Sequence, residues 1–263
     1  MERIWYSPDF RAACEALGLT NVDSFARHFA GNAAGGEDVI HGTGVLAVPG
    51  AGEVQVHYKR YQYRRASWRF VFRRSKAWRE ALSYAHLAEI GVPCGVAVAW
   101  GEQRDGLHRL RGAFILTVEI PATTSLVEWM RGLTPRNGQA TAARDDVRLR
   151  LALITRQAHD GGFLHCDLFL RNVLVSSRPA ARPEVWWIDS PRGHMRWPGP
   201  LRQLGIVRDL ASLDKDAGRL STRTERLRFL LDYAASSRLD GRLRSLARRV
   251  LAYKARRWPN ARH

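Results

Sequence analysis

The chain changes texture once, near residues 119–124, and that change restricts the folds open to it. Before this point apolar residues alternate with polar ones in short runs; after it they recur at three- and four-residue spacing. A period of two marks half-buried strands and a period of 3.6 marks amphipathic helices. "GTGVLAVPGAGEVQVHYKRYQY" reads as two strands around a Gly/Pro turn, with Val54, Val56 and Tyr58 set against Gln55, His57 and Lys59. "SWRFVF" is a shorter strand-like run, and "VPCGVAVAWGEQ" and "GAFILTVEI" are two more, joined by the polar hairpin "RDGLHRLR". One helix interrupts the strands. "SKAWREALSYAHLAEIG" has an N-cap at Ser75, apolar positions at Ala77, Ala81, Tyr84, Ala85 and Ala88, and a stop at Gly91.

From Asp145 onward the pattern is helical, in "DDVRLRLALITRQAHDGG", "RLRFLLDYAASS" and "GRLRSLARRVLAYKARRW". "GLTPRNGQATAARD", just before, reads as a loop. Strands with one helix, followed by helices, predict an α+β chain in two lobes. The expected boundaries are an N-terminal lead-in over 1–35 with one short helical pattern, "DSFARHFA", a strand-rich N-lobe over 36–120 and a helix-rich C-lobe over 121–263. A length of 263 residues is enough for one large domain or two small lobes sharing a cleft.

Bulk properties narrow the function classes. The sequence contains no apolar run long enough for a membrane span, and its first residues carry acids where a secretory signal would be apolar. The expectation is a soluble, intracellular protein. Cys14, Cys94 and Cys166 lack the paired spacing of a zinc site or disulfide framework and read as reduced structural thiols. Lys and Arg number 42 against 25 Asp and Glu, and a net charge of +17 suits polyanionic partners.

The chemistry is concentrated in "HCDLFLRNVLV", residues 165–175, and "VWWID", which ends at Asp189. His165 to Asn172 lies on a loop between a helix that stops at Gly161-Gly162 and a short apolar strand; Asp189 leaves the end of the next strand. Phosphoryl transfer from a nucleotide needs a carboxylate to orient the acceptor hydroxyl, an amide oxygen for a metal ion and a second carboxylate for the bridging metal. Asp167, Asn172 and Asp189 offer these in that order. An H-x-D-x-x-x-x-N loop followed by an apolar strand and Asp is the arrangement of the protein-kinase fold. That fold also needs a strand Lys on the nucleotide phosphates and a helix Glu to hold it. Lys59 in "VQVHYKRY" and Glu80 in "SKAWREAL" meet this, with Glu80 and Tyr84 on one helix face.

Taken singly, each residue has a plainer explanation: a solvated strand Lys, a surface helix Glu, a turn-forming Asp with a capping Asn, a strand-end Asp. It is their shared order on the expected elements that favours chemistry. "GTG" at 42–44 and "PGAG" at 49–52 are equally a phosphate loop or turn glycines, because no complete G-x-G-x-x-G is present. His165 reads as a hydrogen-bonding brace. Ser190 after Asp189, and Phe169 where protein kinases carry a Lys, separate the chain from ordinary protein kinases.

In the order "HYKRY", "SKAWREALSYAHLAEIGVPCGVAVAWGE", "VEIPATTSLVEWM", "HCDLFLRNVLV", "WWIDSPRG" and "RDLASLDKDAGRLSTRTERLRFLLDY", the sequence resembles the lipopolysaccharide core kinases, the Kdo and heptose kinases with a protein-kinase-like fold. The resemblance spans about residues 40 to 240. It implies ATP and Mg²⁺ as cofactors, with Lys59 on the ATP phosphates, Glu80 anchoring it, Asp167 as catalytic base, and Asn172 and Asp189 on Mg²⁺. Arg192 and Gly193 follow the metal Asp in the same pattern, and Asp209 in "RDL" is implied to brace the catalytic loop. The implied acceptor is a Kdo or heptose hydroxyl of a lipopolysaccharide core glycan or glycolipid, at the cytoplasmic face of the inner membrane.

Residues 241–263 hold eight Lys or Arg and no acid, with Leu243, Leu246, Val250 and Tyr253 at helical spacing. They read either as a basic face toward an anionic membrane surface or as a solvated face on a packed helix. Nucleic acid is not expected as a partner, because aromatic residues are not interleaved with this basic face. Two alternatives to the core-sugar kinase are a kinase for a soluble small molecule or protein hydroxyl, and a non-catalytic basic binding module.

Overall fold

In the computed structural model, described over residues 1–29, 39–67, 71, 73–133, 138–176, 183–195 and 198–259, the first strand is already structural. Strand β1 (Glu2–Tyr6) pairs antiparallel with β4 (Ala97–Arg104), Ile4 lying opposite Gly101. Helices α1 (Pro8–Ala16) and α2 (Val22–Phe29) follow. Strands β2 (Val39–Val48), β3 (Gly52–Ser67) and β5 (Leu110–Val118) complete an antiparallel sheet in the order β1-β4-β5-β3-β2. Ala13, Cys14, Val22, Phe25 and Phe29 of the two helices share a core with Val56, Tyr58, Phe114 and Leu116 of the sheet. The Phe25 ring stacks on Phe114 at 4.2 Å between centroids.

The expected lead-in is therefore corrected. Residues 1–29 supply an edge strand and two core helices, and the first compact unit comprises Met1–Ala85 and Gly95–Ile120. The physical reason is that "ERIWY" protects the exposed edge of β4 while α1 and α2 cover an apolar sheet face that would otherwise meet water. Residues 30–35 lie outside the described residues.

Packing also explains the glycines at 42 and 44. Both lie inside β2 on the core face, where a Cβ at Gly42 would come 2.2 Å from the Phe29 carbonyl oxygen and one at Gly44 2.6 Å from the Phe29 ring. They are there so that α2 can approach the sheet, a role the sequence reading did not include among its alternatives. Gly50 and Gly52 are hairpin residues, with φ of +79° and +77° that other residues rarely adopt.

Helix α3 (Lys76–Glu89) begins as expected: the Trp78 amide donates to Ser75 Oγ at 3.1 Å. Its buried stripe is Ala77, Glu80, Ala81, Tyr84 and Leu87, while Ala85 and Ala88 are exposed. That stripe follows three- and four-residue steps, which Ala85 and Ala88 leave. Of the strand-like run "SWRFVF", only Ser67 and Val71 are among the described residues.

The second unit comprises His86–Cys94 and Pro121–His263. The end of α3 and the loop after it thus belong with the helices rather than with the expected N-lobe. Gln157 Nε2 donates to Ile90 O at 2.7 Å, and the Trp187 amide donates to Pro93 O at 3.0 Å. Strand β6 (Thr123–Ser125) leads into α4 (Leu126–Gly132) through a capping box in which Ser125 and Glu128 satisfy each other's amides. Helix α5 (Gly138–Asp160) starts seven residues before the expected Asp145, because "GQATAA" carries alanines that favour helix. Residues 134–137 lie outside the described residues.

Three short elements then carry the loop of interest: β7 (Phe163–Leu164), a 3₁₀ turn at Leu170–Asn172, and β8 (Val173–Ser176). Strand β8 pairs with β6 and with β9 (Val185–Trp187), and β10 (His194–Met195) pairs with β7. Helices α6 (Gly199–Leu220), α7 (Arg223–Tyr233) and α8 (Gly241–Arg257) complete the unit around a core including Ala152, Leu164, Val207, Leu210, Tyr233 and Val250. Among the described residues, no helix is long and apolar enough to cross a membrane.

Helix α8 packs by Leu243 and Val250, with Leu246 and Tyr253 partly buried, as its spacing predicts. One of its basic residues departs from the expected surface. Lys254 is fully buried, its ammonium donating to Asp214 O at 2.7 Å and Asp214 Oδ2 at 2.8 Å, and Arg226 grips the same carboxylate from α7. A Lys at this depth needs a paired carboxylate to offset its desolvation. Arg242, Arg244, Arg248, Arg249, Arg256 and Arg257 are exposed.

Candidate active site

Within the first unit, β3 and α3 bring Lys59 and Glu80 together. Lys59 lies on the sheet face opposite Val56 and Tyr58, across from His41 on β2 and Ile115 on β5. Its Nζ is 3.4 Å from Glu80 Oε2, and both residues are buried. Two tyrosines complete the arrangement. The Tyr61 hydroxyl donates to Glu80 Oε2 at 2.6 Å and the Tyr84 hydroxyl to Oε1 at 3.0 Å. Tyr61 is two residues beyond Lys59 on the same strand face, and Tyr84 is one helical turn beyond Glu80. A carboxylate held by two hydroxyls and an ammonium cannot swing away from the lysine. Sequence reading placed Tyr84 on the face of Glu80 but missed Tyr61, whose signal was its even spacing from Lys59.

Within the second unit, one buried carboxylate shapes the loop that bears Asp167. Asp209, on α6, accepts the amide of His165 through Oδ2 and that of Cys166 through Oδ1, both at 2.8 Å. Arg208 donates to the Cys166 carbonyl oxygen. Those bonds hold Cys166 at a φ of +67°, a conformation that costs of order 1–3 kcal/mol for a side-chain-bearing residue, and turn the chain just before Asp167. The bracing role implied for Asp209 is thus met by geometry. His159 Nε2 approaches Asp209 Oδ2 at 3.5 Å, and His159 Nδ1 is 2.9 Å from the Tyr233 hydroxyl. His159 and Tyr233 were not singled out in the sequence.

Asn172 turns its amide nitrogen back to donate to the Asp167 carbonyl oxygen at 2.9 Å. Its remaining polar atom is the amide oxygen, a hard donor of the kind Mg²⁺ takes. The Ile188 amide donates to Asn172 O at 3.0 Å, so the β8–β9 ladder fixes Asn172 beside the strand end from which Asp189 follows. Asp189 has a φ of +57°. His165 reaches the same strand end, its Nε2 donating to Ile188 O at 3.1 Å, and packs edge-on against Trp187. Burial pushes the His165 imidazole below the usual histidine range, against the opposing pull of Asp209, the Ile188 carbonyl and the Asp189 and Asp167 charges. It is a hydrogen-bonding brace, as read from the sequence.

The donor set suits a hard cation. Asn172 and Asp189 give an amide oxygen and a carboxylate, and Mg²⁺ is usually held by one or two such groups plus waters and phosphate oxygens. Among the described residues, no group of three or more His, Cys, Asp and Glu forms a cage of its own. Cys14 and Cys166 are buried and Cys94 half-buried, all as free thiols; burial raises Cys14 to about 11 and Cys94 to about 12, which makes them inert at neutral pH.

Residues 52–233, most of the chain and the span that holds Lys59, Glu80, Asp167, Asn172, Asp189 and Asp209, match the model of the lipopolysaccharide kinase (Kdo/WaaP) family. The chain belongs to this family. A solved structure described as WaaP in complex with acyl carrier protein is similar over 99% of this chain and 100% of that one, with a TM-score of 0.71 and 21% sequence identity. At that identity the likeness speaks to the fold. No curated protein matches the chain in sequence. As a lipopolysaccharide kinase of the Kdo/WaaP family, the protein is a phosphotransferase that uses ATP and acts on a hydroxyl of lipopolysaccharide core sugar.

Proposed function

We propose that the protein phosphorylates a Kdo or heptose hydroxyl of the lipopolysaccharide inner core, with Asp167 as the base that orients the attacking oxygen. In this reading Lys59 holds the ATP phosphates, Glu80 keeps Lys59 in place, and Asn172 and Asp189 hold Mg²⁺. When bound, the metal supplies charge neutralisation on the phosphates. Asp167 takes the proton of the sugar hydroxyl as its oxygen attacks the γ-phosphorus and ADP departs. The observation that carries the proposal is the loop geometry: Asp209 fixes the backbone before Asp167, and Asn172 is tied to the Asp167 carbonyl, so base and metal ligand move as one piece.

The same reading locates the protein on the cytoplasmic face of the inner membrane. The exposed arginines of α8 support it, at about 1 kcal/mol per basic residue near an anionic surface. WaaP was solved with acyl carrier protein, and a carrier protein is a further partner in this reading for a chain of net charge +17. Mass spectrometry of core oligosaccharide from cells with and without the protein tests the acceptor: the expected result is loss of one phosphate from a single Kdo or heptose. Unchanged phosphorylation of both sugars would reject it.

A further inference from the structure

Two cations rest on the ring of Phe169, two residues beyond Asp167, and one of them, Arg171, also reaches the Asp167 carboxylate. Arg171 sets its guanidinium carbon 4.3 Å from the centre of the Phe169 ring and one terminal nitrogen 3.9 Å from Asp167 Oδ2. Lys215, from α6, brings Nζ to 5.0 Å from the same ring and 5.5 Å from the ring of Trp258. Trp258, just past α8, meets Phe169 edge-on at 5.6 Å. Phe169 is buried and its ring fixed, whereas the Arg171 side chain is 55% exposed.

Aromatic faces hold cations in place without neutralising them. The nearby Asp214 carboxylate is already taken by Arg226 and Lys254, and among the described residues no carboxylate pairs with Lys215. A guanidinium carries five N–H donors in a fixed fork, far more than one contact with Asp167 uses. Positive charge is thus fixed, partly exposed and still able to bind, next to a carboxylate.

We propose that Arg171 and Lys215 form an oxyanion site beside the hydroxyl that Asp167 orients. The proposal rests on the reading of Asp167 as base. Two sources supply such an oxyanion: the phosphoryl group in transfer, whose charge spreads over its equatorial oxygens, and an acidic group on the sugar acceptor. As the acceptor oxygen bonds to the γ-phosphorus, the bond to the β–γ bridging oxygen breaks, Asp167 receives the hydroxyl proton and ADP carries away the electron pair. Arg171 and Lys215 exchange no proton in this step.

The test is steady-state kinetics with ATP and deacylated core oligosaccharide on the full-length native protein and on Arg171→Ala, Arg171→Lys, Lys215→Gln, Phe169→Leu and Asp167→Asn, each checked by thermal melting. Arg171→Ala and Lys215→Gln are each expected to lower kcat/KM by about 100-fold, the low end of the range for losing one oxyanion donor. Arg171→Lys should recover part of the loss, and Phe169→Leu, which keeps the apolar filling but removes the ring, should fall between. If the oxyanion is the transferring phosphoryl, kcat falls and acceptor-free ATP hydrolysis falls with it. If it belongs to the sugar, the acceptor KM rises and acceptor-free hydrolysis is unchanged. Kinetic constants within twofold of native for folded Arg171→Ala and Lys215→Gln would overturn the site. An active Asp167→Asn would instead remove the reading beneath it, so the two failures are distinguishable.

Discussion

Lys59 and Glu80 meet at 3.4 Å with both Glu80 oxygens also taken, Oε2 by the Tyr61 hydroxyl and Oε1 by that of Tyr84. The carboxylate is a hub for at least these three donors rather than half of an ion pair. Substituting Tyr61 by Phe removes the shortest of the three bonds while leaving the ring over which Lys59 lies at 5.2 Å. A hydrogen bond to a charged group contributes about 1.5–3 kcal/mol. Tyr61→Phe is therefore expected to raise the KM for ATP about 10-fold with a smaller change in kcat. Glu80→Gln, which removes the negative charge beside the buried Lys59, should also lower the melting temperature. Coupled-enzyme kinetics and differential scanning fluorimetry check both; an unchanged KM in Tyr61→Phe would show that the Tyr61 hydroxyl is not needed to fix the carboxylate.

Gly44 separates packing from phosphate binding. An added methyl would meet the Phe29 ring at 2.6 Å, on the core face. Overpacking of this kind costs about 1–3 kcal/mol. Gly44→Ala is expected to destabilise the fold by that amount in urea denaturation, and Phe29→Leu in the same chain should restore part of it. The KM for ATP of the folded Gly44→Ala protein should match native. A large KM change at unaltered stability would return Gly44 to the phosphates.

His165 sets an acid limit on stability. Its pKa in the folded protein is lowered from the ordinary 6.5, chiefly by burial, so the unfolded chain binds its proton first as the pH falls. Its contribution is complete above about pH 6.5 and is lost as the pH drops from there toward the folded value, at up to about 1.4 kcal/mol per pH unit for one proton. Urea midpoints measured from pH 8 to pH 5 should fall through this window. His165→Asn, which cannot titrate, should flatten the decline while lowering stability at pH 8; an equal slope in both proteins would assign the acid loss to other groups.

The parts legible in the sequence were those written in local pattern. The β2–β3 hairpin, the cap at Ser75, the two further strands and the order Lys59, Glu80, Asp167, Asn172, Asp189 all depend on spacing within one element or on motif order. What was missed depends on contacts between distant segments. Phe29 is the reason for Gly42 and Gly44, yet it lies more than a dozen residues before them, so these glycines looked equally like a phosphate loop or turn chemistry. Lys254 is indistinguishable in sequence from its exposed arginine neighbours; only Asp214, 40 residues earlier, explains its burial. Residues 1–29 looked like a lead-in because their helices are short and their single strand finds its partner, β4, almost 100 residues later. Tyr61 and His159 joined the site through hydrogen bonds that no periodicity announces.

The central claim is that Asp167, on a loop held by Asp209, directs transfer from ATP to a lipopolysaccharide core sugar. Its most direct measurement is transfer of the γ-phosphoryl of radiolabelled ATP to deacylated core oligosaccharide by the purified protein and by Asp167→Asn, a near-isosteric change at a partly exposed side chain. The account predicts labelled glycan with the native protein and a loss of at least about 100-fold in the variant, consistent with removal of a general base. Undiminished labelling by folded Asp167→Asn would contradict it.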